Sequence, residues 1–363
     1  MTSLTNKSLN AQELADFGAE LDALKFKHLN EVGAVDARYI KRIVAAVRYS
    51  EALGRGFLFL SFIPPFWLLG TLLLALSKIL ENMELGHNVM HGQYDFMNEP
   101  SLRGESYEWD IVGTSENWRH SHNYRHHTYT NIKGLDDDVG YGMLRLFPEQ
   151  RWSPLYIPQA LYALLLALLF QWGVAVQELQ LGKVVKGRKS WAQLKEELKP
   201  MLKKVNRQLL KDYLIFPLLS GPLFFSVMAG NFVANILRNL WTFMIIFCGH
   251  FTADAEVFPR SVIKDELPGH WYLRQLRGSS NLTGGKWFHI LSGNLSHQIE
   301  HHLFPTVPAW RYAQMSTEVQ AICRRYGQNY NSGSLVSQFG QVVWRILRHA
   351  FPSLTCSPLA EPV

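Results

Sequence analysis

Cysteine is scarce. The 363 residues hold three, Cys248, Cys323 and Cys356. Their spacing suits neither a disulfide framework nor a thiolate metal site, which fits a reducing compartment. C-x-x-C, the haem attachment motif, G-x-G-x-x-G and the P-loop are all absent. Any redox chemistry must therefore draw its electrons from another protein. Charge is thin as well, with 18% Asp, Glu, Lys and Arg against about 25% in ordinary domains. A mean hydropathy of −0.06 nevertheless excludes a chain that is mostly membrane helix. A mixed body is implied, with some bilayer spans and a large polar part. The net charge is +6, but the basic residues flank apolar segments and form no single stripe, so no nucleic-acid partner is expected. No apolar run follows Lys7, so no secretory leader is expected.

What the chain does have is clustered histidine. His122, His126 and His127 form H-x-x-x-H-H, and His297, His301 and His302 repeat it; His87 and His91 supply a further i, i+4 pair. With 14 His in the chain, one H-x-x-x-H-H is expected by chance only about 0.02 times. On a helix, i and i+4 share a face and i+5 sits about 100° further round, so two imidazoles can grip one metal while the third reaches a neighbour. His250, directly after an apolar run, is a further candidate. His28, His270, His289 and His349 are isolated and are read as ordinary core or surface residues, and His120 points away from His122.

The apolar runs set the organisation. Phe57–Leu80 is interrupted by Pro64-Pro65; Leu155–Val176, Tyr213–Met228 and Phe232–Cys248 follow, and Lys183–Lys211 carries ten Lys or Arg. Three histidine clusters that share one site must lie on one side of the membrane. Three runs separate the second cluster from the third, so one of them does not cross. Leu155–Val176 is assigned to the interface, and Tyr213–Cys248 becomes one hairpin turning at Gly230. Neither hairpin turn carries Lys or Arg, whereas the flanking polar segments do, which puts the histidines and both termini in the cytoplasm. The expectation is an all-α integral membrane protein with a four-helix anchor of two hairpins. Its spans are about 44–63, 66–84, 213–229 and 232–249, with 155–176 interfacial. A cytosolic lead-in covers 1–43, the main domain 44–308, and a cytosolic C-terminal helix and tail 309–363. The tail at Pro352–Pro358 reads as disordered.

Eight or nine imidazoles exceed what one metal takes. Structural zinc wants four ligands and favours thiolate. Imidazole-rich sites with open positions suit iron or copper, iron being the usual choice for dioxygen activation, and two irons with four to five nitrogens each is the natural count. Second-shell candidates that would orient the rings are Glu84, Asn131, Asp136, Asp137, Asp138, Gln298 and Glu300. A substrate tunnel should be apolar and aromatic, with Trp109, Trp118, Tyr124, Trp241 and Trp271 as possible walls.

The segments Gly-His-Asn-Val-Met-His, His-Asn-Tyr-Arg-His-His-Thr-Tyr-Thr-Asn-Ile and His-Gln-Ile-Glu-His-His-Leu-Phe-Pro resemble the three histidine boxes of the membrane fatty-acid desaturases. The stretch Met83–Gln93 resembles the bacterial acyl-CoA desaturases of the mycobacterial stearoyl-CoA type. The likeness covers roughly Leu53 to Pro308. It implies a four-helix anchor under a cytosolic di-iron cap, with two Fe2+, O2 as co-substrate and a cis double bond placed in a fatty acyl chain carried on CoA or a lipid. By that likeness the ligands are His87, His91, His122, His126, His127, His250, His301 and His302. The family writes its third box with His or Gln three before the His pair, which is Gln298 here. Because His297 repeats the box-two spacing and imidazole ligates better than a carboxamide, His297 is the expected ligand and Gln298 its neighbour. The cytochrome b5 module of front-end desaturases is absent from the sequence, so a separate ferredoxin or flavin reductase is expected to deliver electrons. The bacterial inner membrane is the expected location. The competing readings are a hydroxylase with the same boxes and, from another class, a metal transporter.

Overall fold

The computed structural model describes residues 6–264 and 266–352. The expected disorder of the tail therefore falls, beyond Pro352, outside the described residues. The architecture is helical, with one minimal sheet in which β1 (Asn281–Thr283) pairs in parallel with β2 (Ser332–Ser334).

Helix α1 (Ala11–Asn30) is started by a reciprocal cap: Asn10 Oδ1 accepts from the Glu13 amide and the Glu13 carboxylate from the Asn10 amide. Its Leu14, Phe17, Leu21 and Leu24 recur at helical spacing and are buried. Helix α2 (Ala34–Leu58) turns at 59–63 into α3 (Pro64–Leu80), whose two prolines occupy the first turn, where no amide partner is lost. The two helices touch backbone to backbone. A Cβ on Gly54 or Gly70 would come within 2.8 Å of the other helix's backbone. Helix α3 continues through a wide π-type turn, Glu81–His87, to Met90. Helix α4 is the continuous segment 115–129, again with a π-wound middle, Arg119–His126.

Helix α5 (Gln159–Leu168) meets α6 (Phe170–Glu178) at a break of 101°. Helix α7 (Trp191–Leu210) runs on through Lys211–Ile215 to Leu219, and α8 (Phe224–His250) returns beside it. Then come α9 (Pro268–Arg277), α10 (Lys286–Leu291), α11 (Gln298–Leu303), α12 (Tyr312–Arg325) and α13 (Leu335–His349). Helices α1, α9, α11 and α12 share one apolar cluster, so the N-terminal and C-terminal segments pack together.

Pro64–Met90 and Gly221–His250 are long and apolar enough to cross a bilayer, and the bent pair α5–α6 would be a third if it crossed. Gly230 is not a turn, in contrast to the sequence expectation. Helix α8 runs unbroken through it, and the turn lies at 220–223. The glycine is there for contact: a Cβ at 230 would stand 2.6 Å from Leu58 Cδ2. Arg55 of α2 pairs with the partly exposed Glu51 and with Asp212, which also holds Lys78 Nζ at 2.8 Å; Arg55, Lys78 and Asp212 are buried.

Candidate metal centre

Histidines from four places meet beyond the ends of α3 and α8. His87 lies in the π turn after α3, His91 one turn on, His250 at the last residue of α8, and His301 and His302 on α11. His122, His126 and His127 lie on α4. An α-helix would keep i and i+4 on one face and turn i+5 about 100° away, but the wider π winding, with bonds from i to i+5, draws all three toward one side. The result is one set of side-chain nitrogens from His87, His91, His122 and His301, and a second from His126, His250 and His302, each lying within 4.8 Å of one another. His127 sits between the sets, with its Nε2 3.1 Å from that of His301. Every one of these rings is buried.

The hydrogen bonds around the second set decide which nitrogens face inward as bare lone pairs. His250 Nδ1 lies 3.1 Å from the Gly278 carbonyl, His302 Nδ1 3.0 Å from Gln275 Oε1, and His126 Nδ1 3.0 Å from Asp136 Oδ2. Each partner is an acceptor, so each Nδ1 carries the proton and each Nε2 is free to ligate. Yet His250 Nε2 stands 3.3 Å from His126 Nε2 and 3.0 Å from His302 Nε2. Lone pairs held that close repel unless a cation lies between them. Two nitrogens bound at the usual 2.0–2.1 Å of a His–metal bond are separated by roughly 2.9–3.4 Å, which is the spacing seen. In the first set, His91 Nε2 and His122 Nε2 are buried with no hydrogen-bond partner, a loss of about 1–3 kcal/mol each unless a ligand satisfies them. The residues fit a metal at both sets.

Burial, and then the neighbouring imidazoles, hold His91, His122, His127, His301 and His302 well below the ordinary imidazole range, in the neutral form that binds metal. His126 differs. Burial alone would push it down, but the Asp136 carboxylate, helped by Asp138, outweighs burial and carries the ring up to about 9. Without a metal, a proton on His126 Nε2 can serve one of the crowded contacts at His250; a cation can serve all of them.

His297 is not gathered with the others, although the H-x-x-x-H spacing singled it out. Helix α11 begins only at Gln298, and His297 ends a separate 3-10 turn with φ −102° and ψ 57°, so the i, i+4 rule does not apply across the junction. Its ring stacks on His289 at 4.5 Å instead, and burial pushes it down to about 3. Gln298 and His302 are the true i, i+4 pair of this helix, and the Gln298 carboxamide nitrogen lies 2.9 Å from His250 Nε2.

Of the expected supporting residues, Asn131 ties the loop carbonyls of Glu256 and Gly278, and its amide donates to Asp136. Asp136 orients His126, while Asp137 pairs outward with Arg125 at 2.9 Å. Asp138 stands further off, 3.7 Å from His126 Nδ1. Glu84 accepts from Tyr39 and Asn294, and Glu300 from Asn281 and Tyr330, so neither meets a ligand ring. Burial raises Glu300 to about 7. Gln275 was not foreseen. It holds His302 Nδ1 with its oxygen and the His127 carbonyl with its nitrogen, at a distance of 27 residues from His302, so no local signal marked it.

A narrow cavity of about 70 Å³ lies against the rings. Trp109, Trp118, Tyr141, Phe170 and Ile246 line it beside His87, His122, His126 and His250. Trp118 stacks on His122 at 4.4 Å. Of the other expected wall residues, Tyr124 is exposed beside His120, Trp241 packs on Phe288, and Trp271 belongs to the cluster around α1.

The fatty acid desaturase family model matches residues 63–334. The chain is 45% identical over 343 residues to the NADPH-dependent stearoyl-CoA 9-desaturase of Mycobacterium tuberculosis, across 93% of this chain and 80% of that protein. It is 29% identical to the sn-1 linoleoyl-lipid 6-desaturase of Synechocystis, across 75% of this chain and 77% of that one. The acyl-lipid (7-3)-desaturase of Rebecca salina is 27% identical across 72% of this chain and 59% of that protein. A family match over most of the chain, together with nearly half the residues shared with one relative over almost all of it, leaves a single assignment: the chain belongs to the fatty acid desaturase family and is an oxidoreductase that desaturates fatty acyl groups.

Proposed function

We propose that this desaturase places a cis double bond at the ninth carbon of a long-chain acyl-CoA, using two Fe2+ held by the histidine sets. The observation that carries the reading is the pair of imidazole sets facing one apolar, aromatic cleft. His87, His91, His122 and His301 would hold one iron, and His126, His250 and His302, with Gln298 beside them, the other, His127 lying between. An all-nitrogen shell without thiolate, and with more ligands than one tetrahedral ion takes, favours iron over zinc. When bound, the two irons supply the activation of O2 needed to remove hydrogen from an unactivated CH2–CH2 pair. The protein's own residues do the rest. Asp136, Gln275 and the Gly278 carbonyl hold the Nδ1 protons of His126, His302 and His250, so that Nε2 of these three rings turns inward. Trp109, Trp118 and Phe170 fix the chain and exclude water.

The reaction balances as the loss of two hydrogens from the chain with reduction of O2 to two waters, which requires two further electrons and two protons. A separate ferredoxin or flavin reductase delivers those electrons; the NADPH dependence named for the mycobacterial relative supports NADPH as their origin. The anchor is read as four helices, α2, α3, α7 with its extension to Leu219, and α8, with the site and both termini on the cytoplasmic face of a bacterial inner membrane. The stearoyl-CoA relative at 45% identity favours CoA over a lipid carrier, the carrier named for the more distant relatives.

The test uses iron-loaded protein in bilayer discs with a ferredoxin and its NADPH reductase. Stearoyl-CoA and stearoyl-phosphatidylcholine are offered separately and the products read by gas chromatography and mass spectrometry. Loss of two mass units at the ninth carbon of stearoyl-CoA supports the proposal. Gain of one oxygen would make it a hydroxylase, and turnover of the phospholipid alone would move the carrier. Native protein holding one zinc and no iron would overturn the metal assignment.

A further inference from the structure

Helix α13 exposes an apolar face that neighbouring helices cannot cover. Val336, Val343, Trp344, Leu347 and, just beyond its end, Phe351 point outward, Val336 and Trp344 being 85% and 67% exposed. These positions recur at helical spacing along one side. The opposite side, Val342 and Ile346, is packed into the cluster that also takes Ala163, Leu166 and Ala167 of α5. The two helices are further tied by Gln159, whose side chain donates to the Ile346 carbonyl, and by Trp152 Nε1, which donates to the Ala350 carbonyl at 2.9 Å.

The outward side of α5 is also apolar, with Leu161, Leu164 and Leu165 exposed. This is the helix that bends by 101° against α6 in a segment apolar enough for a membrane. The property is not general to the polar half of the molecule. Helix α12, also amphipathic, exposes Gln314, Thr317, Arg324 and Arg325. Arg348 is exposed at the end of α13 beside Trp344, the pairing of aromatic and cation found where helices lie in the headgroup layer.

We propose that α13 is a monotopic membrane contact. It lies in the interface continuous with α5, with Val343, Trp344, Leu347 and Phe351 among lipid acyl chains, and is not a cytosolic appendage. The bilayer is the occupant because the patch continues the exposed apolar face of α5, which with α6 forms a segment apolar enough for a membrane.

Place single nitroxide labels at Val343→Cys and Leu347→Cys in a variant without the three native cysteines, retaining only proteins that keep desaturase activity. Reconstitute them in discs of phosphatidylcholine and phosphatidylglycerol, and measure collision with O2 and with a water-soluble nickel chelate. Leu68→Cys on α3 is the lipid control and Gln314→Cys on α12 the aqueous one. Both α13 labels are expected to match Leu68, with high oxygen and low nickel accessibility. Labels that match Gln314 overturn the proposal. Labels shielded from both reagents overturn it in favour of a second protein copy on this face. An aqueous Leu68 would remove α3 as a span and the proposal with it, while leaving the desaturase activity unaffected.

Discussion

Asp136 and Asp137 are adjacent carboxylates with opposite roles, and the same substitution at each separates them. Asp136, with a smaller contribution from Asp138, carries His126 from an ordinary 6.5 to about 9 against the pull of burial, an interaction on the order of 3 kcal/mol. Asp136→Asn keeps the size and one acceptor, so a neutral hydrogen bond of about 1 kcal/mol survives. The charge is lost. The two oxygens also accept from the Asn131 and Asp138 amides, and an amide nitrogen cannot replace both. Loss of such an outer partner typically lowers metal affinity or activity about 10–100-fold, roughly 1.4–2.8 kcal/mol, which agrees with the difference between the charged and neutral bonds. Asp137→Asn removes a partly exposed ion pair with Arg125, worth under about 1 kcal/mol. The assay is iron retained per chain against a graded chelator, with turnover measured on the same samples. Full iron and turnover in Asp136→Asn, or equal damage from Asp137→Asn, would refute the assignment of Asp136 as the carboxylate that sets His126.

His126→Ala and His301→Ala should each abolish turnover, while His349→Ala, on α13 and far from the sets, should leave it nearly intact; a single-turnover assay in discs decides. Gln298→Ala should lose more iron and activity than His297→Ala, because Gln298 and not His297 reaches His250, and the reverse order would restore the spacing argument. Asp212→Ala should lower stability by about 3–5 kcal/mol, since it leaves Lys78 and Arg55 buried without their carboxylate; chemical denaturation in detergent measures it. Single cysteines near Ser220 should react with an impermeant maleimide on intact cells, and those at Lys189 and Ser292 only after the cells are opened; labelling of Lys189 from outside would place the second and third histidine clusters on opposite faces.

The gathering of histidines was legible because their spacing is local. His87 with His91, and His122 with His126, stand four apart on continuous helices, and sequence periodicity sees that much. What it could not see is the winding. The π turns at 81–87 and 119–126 change which side chains share a face, and the start of α11 at Gln298 cancels the spacing that made His297 attractive. The supporting groups were harder still. Gln275 and the Gly278 carbonyl become partners of His302 and His250 only when α9 docks on α11 and α8, and nothing near either residue in the sequence records that docking.

The hairpin turn shows the same limit from another side. Gly230 read as a break because glycine is a common one. In the fold it serves close packing against Leu58, while the chain turns at Gly221, which has a φ of 56° that favours glycine. Charge misleads in a related way along α2 and α7. Hydropathy scores Arg55, Lys78 and Asp212 one at a time, as if each met lipid alone. Together they form a buried cluster in which one carboxylate faces two cations, with the Asn235 amide donating to the carboxylate and the Asn231 amide to the Asp212 backbone carbonyl. A helix whose charges are paired inside a bundle presents to its surroundings only what remains, and along α2 that includes Leu53, Leu60 and Phe62 at its exposed end and turn. Single-residue sums register two apolar helices, and the buried cluster ties them to α2 and α7, so it is the place where one substitution should loosen their packing.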